Sequence, residues 1–259
     1  MFATTRDGTR IGYSISGDAD SDRKVALIHS LAMDRSFWAP VAERLAKDAA
    51  VLTIDCRGHG ASDKPKGSYT VEQFADDLAD VMDAVGWKQA TIGGCSMGGC
   101  VTLAFAIRHP QRVKGLGLYD TTACYNDLPA WQYRAEKGVS DGLASLTPFQ
   151  KTRWFSDKFN AEHKDVVQHC VDVFVANEPH AYHASCLLLG HADLRAGLGS
   201  IKAETRIAVG EEDYATPPAM AEEMHRGIRN SKLTIIPGAR HLSPLEVPDV
   251  IAGQLREVM

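Results

Sequence analysis

Gly94-Cys95-Ser96-Met97-Gly98 joins an apolar run, Ala90-Thr91-Ile92-Gly93, to a helix-forming run from Val101 to Ile107. A serine at the apex of so sharp a strand-to-helix turn needs small neighbours, because backbone passes where a side chain would sit. The turn lifts the hydroxyl clear of the sheet and sets it beside a helix N-terminus, whose free N–H groups favour negative charge. The spacing alone recurs by chance; the strand-turn-helix setting gives it weight.

The flanking sequence repeats the same alternation. Val25 to His29 and Val51 to Asp55 are short apolar runs that end in polar residues, as buried parallel strands with functional C-terminal ends do. Val113 to Tyr119 is a further strand, and Arg10 to Ile15 alternates as an edge hairpin would. Between them, Val71, Phe74, Ala75, Leu78, Val81, Met82 and Val85 recur at helical spacing. Thr70 and Gln73 form a capping box for that helix, and Gly86 its C-terminal cap. Repeated strand-helix-strand units predict an α/β chain with a mainly parallel sheet and helices on both faces.

The alternation stops after Tyr119. Residues 121–200 read as helical pieces: Pro129 to Lys137, Pro148 to Phe155, Ala161 to Ala176 and Pro179 to Leu189. Strands resume at Thr205 to Val209 and Leu233 to Ile236, each followed by a helix, Pro217 to Arg229 and Pro248 to Val258. The expected organisation is a core made of residues 1–120 and 201–259, with 121–200 inserted as a helical lid over the strand ends.

A chain of 259 residues can hold one such domain, and a net charge of -5 with no basic stripe speaks against a nucleic-acid partner. Six scattered cysteines, none in a C-x-x-C pair, read as reduced thiols of a cytoplasmic protein. Neither a signal-peptide pattern nor an apolar run of membrane-spanning length is expected from the sequence.

A serine needs a base and an orienting acid to attack at neutral pH. His241 follows one late strand and Asp213 another, so Ser96, Asp213 and His241 fall in order at the same edge of the sheet. Asp120 also ends a strand and is an alternative acid; the intact motif around Asp213 favours the latter. The Met97 N–H, with an N–H from the loop after His29, would bind an oxyanion. Cys95 and Cys100 flank the turn and read as buried neighbours.

These residues give the chain its family likeness: it resembles an α/β-hydrolase nearly end to end. Ile28-His29-Ser30-Leu31-Ala32, followed by Phe37-Trp38, resembles the oxyanion segment and implies Leu31 as second donor. Asp55-Cys56-Arg57-Gly58-His59-Gly60-Ala61-Ser62-Asp63 resembles the family's D-x-R-G-x-G-x-S loop, in which His59 would be structural. The likeness implies an α/β-hydrolase fold with a mostly parallel eight-stranded sheet. Within the family, Gly94 to Gly99, Gly210 to Pro218 and Gly238 to Pro248 resemble 3-oxoadipate enol-lactonases. So do Arg153-Trp154-Phe155 and Asn177 to Tyr182. Ala32 departs from the pattern, standing where a glycine is often found and narrowing the loop.

The implied activity is hydrolysis of a small lactone or activated acyl bond in an acid intermediate of aromatic or heterocycle breakdown. It would proceed through an acyl-enzyme with no cofactor and no metal. Alternatives are a C–C hydrolase of ring-cleavage products, an amidase on an acylaminomethylene dicarboxylate, a general carboxylesterase, and a ligand-sensing protein that keeps the triad. An anionic substrate needs a cation: Arg134 and Arg153 first, then Lys137, Arg35 and Arg195. Ser30, Trp131 and Trp154 are candidate pocket residues, whereas Tyr133 reads as lid packing. His180, His183 and His191 lack an acidic or cysteine partner at ligand spacing and read as structural. Monomer and homodimer both stay open.

Overall fold

The computed structural model describes residues 1–259. Its sheet has eight strands in the order β1-β2-β4-β3-β5-β6-β7-β8. The strands are β1 Phe2–Thr4, β2 Arg10–Ser16, β3 Lys24–Ile28, β4 Ala50–Ile54, β5 Ala90–Cys95, β6 Val113–Tyr119, β7 Glu204–Gly210 and β8 Ser231–Ile236. β1 and β2 form an antiparallel hairpin at one edge, and β2 pairs antiparallel with β4. Every other pairing is parallel. β3, β4 and β5 are buried along nearly their whole length, which explains their continuous apolar runs.

Helices cover both faces. α1 (Ala39–Leu45) packs against α11 (Pro248–Arg256) on one, and α2 (Val71–Ala84) against α3 (Met97–Arg108) on the other. α9 (Pro218–Gly227) flanks β7 and β8, and α10 (Ser243–Glu246) is a single turn after His241. The expected cap of α2 is half made: Thr70 accepts the Gln73 N–H, with no bond back from the Gln73 side chain. At its other end Gly86 has φ 73°, Gly86 N–H reaches Asp83 O, and Trp87 N–H reaches Met82 O. That pair of bonds is a Schellman motif.

Between β6 and β7 the chain makes five helices: α4 Leu128–Ser140, α5 Thr147–Trp154, α6 Asp157–Glu162, α7 Lys164–Val175 and α8 Pro179–His191. The single helix expected from Ala161 to Ala176 is two. Ser156 caps α6 by accepting the Phe159 N–H, and His163 (φ -124°, ψ 51°) leaves helical geometry between α6 and α7. The two ends of this insertion meet, for Cys124 and Asp193 form an isolated antiparallel bridge and Leu194 N–H donates to Ala123 O. No helix is long and apolar enough to cross a membrane.

Candidate active site

Ser96 sits between β5 and α3 with φ 55° and ψ -116°, a conformation that costs a non-glycine residue on the order of 1–3 kcal/mol. Its surroundings impose it. Ser96 N–H donates to Tyr119 O at 2.9 Å, and Thr121 Oγ1 donates to Ser96 O at 2.7 Å. A Cβ on Gly94 would lie 2.0 Å from Gly98 O, and one on Gly98 2.1 Å from Ile28 O. Both positions therefore require glycine, because the atoms in the way are backbone.

The Ser96 Oγ lies 2.9 Å from His241 Nε2, and His241 Nδ1 lies 2.8 Å from Asp213 Oδ2. A neutral ring with its proton on Nδ1 satisfies both contacts: it donates to Asp213 and accepts from Ser96. Asp213 is buried and holds its place by further bonds. Its Oδ1 accepts Ala215 N–H at 2.7 Å and Thr216 N–H at 2.9 Å; its Oδ2 accepts the Thr216 hydroxyl at 2.7 Å. Burial pushes this carboxyl up, but the facing His241 and these donors outweigh it and leave the pKa below the ordinary value.

Asp120 makes no hydrogen bond or ion pair with the His241 ring. It is fully buried at φ 45°; its Oδ1 accepts Gly210 N–H at 3.0 Å and its Oδ2 accepts Ser243 N–H at 2.9 Å. Those donors lie at the end of β7 and just past His241, so the carboxyl ties together the loops that carry Asp213 and His241. Burial, then the charge of Asp213, pushes the Asp120 pKa well up.

The segment that follows β3 is fixed from behind. His29 Nδ1 donates to Ser30 O at 2.8 Å, and His29 Nε2 accepts Cys56 N–H at 3.0 Å. Across a trans peptide the Leu31 N–H points away from the Ser30 carbonyl, hence away from His29. Neither Leu31 N–H nor Met97 N–H has an acceptor in the fold. Ala32 takes φ 58°, so the missing glycine leaves the turn in place and a left-handed alanine at its corner.

The insertion roofs this floor. A cavity of about 60 Å³ is lined from below by Ser30, Leu31, Ser96, Ala215 and His241. Its roof is Tyr125, Trp131 and Arg134 from α4 and the turn before it, and Gln150, Arg153 and Trp154 from α5. A neighbouring chamber of about 520 Å³ shares Tyr125, Trp131, Arg134, Gln150, Arg153 and Ala215 with it and is lined as well by Lys137 and Tyr133. Arg134 lies over the Trp131 ring at 5.1 Å, and Tyr125 meets that ring edge-on at 4.9 Å. The roof is bound to the loop that carries His241: His241 N–H donates to Arg153 O, and Arg240 Nη1 to Thr152 O and Phe155 O.

Neither Arg134 nor Arg153 has a carboxylate partner. Arg134 Nε donates to Tyr182 Oη at 2.6 Å, and Arg153 Nη2 donates to the Tyr214 carbonyl. Burial, and the positive charge of Arg134, pull the Arg153 pKa below its ordinary value. The other expected cations lie elsewhere. Arg35 is paired with Asp55, and Arg195 with Asp193 on the surface. His180, His183 and His191 line a separate surface groove, and Cys95 and Cys100 are buried. Tyr125 and Gln150 were not among the residues expected from the sequence. Gln150, Arg153 and Trp154 do stand at i, i+3 and i+4, a spacing that puts them on one helix face.

Comparison with known proteins agrees with this architecture. Residues 25–170 match the family model described as alpha/beta hydrolase fold. The chain is similar to 3-oxoadipate enol-lactonase 1 of Acinetobacter baylyi, 31% identical over 96% of this chain and 92% of that one. Among solved structures it is similar to the enol-lactonase from Burkholderia xenovorans LB400, with a TM-score of 0.95, 32% identity, and coverage of 100% and 99% of the two chains. A malate-bound thermophilic esterase from Thermogutta terrifontis is 28% identical, with a TM-score of 0.91 over 99% of this chain and 96% of that one.

Proposed function

The chain belongs to the α/β-hydrolase family and is an ester or lactone hydrolase, and on that premise we propose that Ser96 is its nucleophile and a small carboxylate-bearing lactone its substrate. His241 takes the Ser96 proton as Oγ attacks the acyl carbon. Asp213 holds the ring and stabilises the imidazolium that results. The Leu31 and Met97 N–H groups receive the oxyanion of the tetrahedral intermediate, at the N-terminus of α3. His241 then returns its proton to the leaving oxygen, which in a lactone remains tethered to the acyl group. Water, deprotonated by the same histidine, releases the acid from Ser96.

The observation that carries the substrate class is the pair of guanidinium groups, Arg134 and Arg153, roofing the Ser96 cavity without a carboxylate partner. Two like charges side by side in a half-buried site disfavour one another, and an anion relieves both. A substrate carboxylate held there orients the acyl group over Ser96. Likeness to 3-oxoadipate enol-lactonases supports a catabolic lactone as the substrate, and six free cysteines fit a reducing, cytoplasmic setting.

The test is turnover on a panel: an acidic enol-lactone, a neutral lactone, a simple ester, a ring-cleavage diketone and an acylated enamine diacid. The acidic lactone should be the best substrate, and Ser96→Ala should lower its turnover by at least about 10⁴-fold with the fold intact. Near-normal turnover in that variant sinks the assignment; preference for the diketone or the enamine replaces the substrate class.

A further inference from the structure

Gln150 is 3% exposed, lines both the Ser96 cavity and the neighbouring chamber, and its Nε2 has no hydrogen-bond partner. A buried amide left unpaired costs on the order of 1–3 kcal/mol, a cost that leucine or methionine of similar size would not carry. Its neighbours on α5 sharpen the point. Gln150, Arg153 and Trp154 share one face, and that face is the one turned to the cavity. The unpaired Nε2 is itself closed off, so a ligand in the cavity completes it only when the amide turns toward the cavity.

The facing charges decide what the amide offers. Either end of a carboxamide can be turned inward by a half rotation of the side chain. With Arg134 and Arg153 in the same roof, the ligand atoms there carry negative charge, so the N–H end is the one in use. We infer that Gln150 is a specificity-determining residue: its amide N–H donates to an oxygen of the distal carboxylate that Arg134 and Arg153 attract. The arginines supply attraction, and the amide supplies direction. This deepens the hydrolase reading and rests on it.

Opening a lactone that carries a carboxylate yields a dicarboxylate, with the new acid at Ser96 and the old one at the roof. Straight-chain dicarboxylates are therefore product-like probes, and the chain length that binds best measures the span. Succinate, glutarate and adipate are tested as competitive inhibitors of p-nitrophenyl acetate hydrolysis, with monocarboxylates of matched length as controls. The proteins are wild type, Gln150→Leu and Gln150→Glu.

One lost hydrogen bond to a charged group should raise the inhibition constant of the best dicarboxylate about 10- to 100-fold in the leucine variant. The glutamate variant, isosteric but repulsive, should lose more. The rise in that inhibition constant should exceed any accompanying change in kcat/KM for the neutral ester at least about tenfold, and the leucine variant should melt higher than wild type. A residue that only packs would lower the melting temperature and shift the neutral-ester KM in step with inhibition. Equal inhibition of wild type and the leucine variant overturns the assignment, as does failure of every dicarboxylate to inhibit wild type. Ester turnover that survives Ser96→Ala would instead overturn the parent reading.

Discussion

Asp213 and Asp120 sit at the ends of adjacent strands and are both buried, yet their bonds give them different work. Asp213 faces the imidazole; Asp120 faces two backbone N–H groups. Asp213→Asn should misorient the His241 ring and cost about 10³- to 10⁴-fold in kcat with little change in KM. Asp120→Asn keeps the volume but puts an amide N–H against one of the backbone donors. It should cost about 10- to 100-fold through misplacement, with a lower melting temperature. Kinetics and thermal melts on the two variants check this, and the reverse order of losses would make Asp120 the acid. That Ser96, Asp213 and His241 would meet at one sheet edge was legible in sequence, because each follows a strand within a few residues, inside a turn motif that fixes its direction. Gln150 and Tyr125 were not. Their meaning depends on which way the roof helices face, and that is set by packing against the core rather than by local pattern.

Elements of the core follow local rules closely enough to be read from the chain. α2 shows why: its apolar stripe, its threonine cap and its terminal glycine all lie within 17 residues and agree. Gly86 carries φ 73° and has open space where a Cβ would stand, so the left-handed backbone alone is at issue. Gly86→Ala should cost about 1–2 kcal/mol and lower Tm by roughly 2–8 °C without touching activity, measured by calorimetry and steady-state assay. The roof was read less well. The break at His163 carries neither glycine nor proline to announce it, and the cap at Ser156 lies before the expected start of the helix. Strand order was not legible either. β4 sits between β2 and β3 because of how the crossovers pack, and an apolar run is silent about its neighbour.

The whole molecule carries an acid sensitivity in its buried histidines. His59 is fully buried, with Nδ1 on Arg57 O and no partner for Nε2, and burial followed by the charge of His29 pushes its pKa down to about 3. His29 is also pushed down by burial, and its Nε2 is occupied by the Cys56 N–H. Both stay neutral in the fold, while the unfolded chain takes up protons below about pH 6.5. Stability should therefore be unaffected above that value and fall as pH drops. His59 alone should cost about 1.4 kcal/mol per pH unit, or about 2 kcal/mol at pH 5. Urea titrations between pH 7.5 and 5 check this, and His59→Gln should flatten the slope.

The bridge between Cys124 and Asp193 brings the entrance and the exit of the roof to one point on the core. A segment whose two ends meet is joined to its host by a single seam. On the proposed reading, the machinery for attack lies almost wholly on one side of that seam, and the choice of what is attacked largely on the other. That reading makes the roof an interchangeable part: a different sequence fitted between the same two residues should inherit the reaction and bring its own appetite.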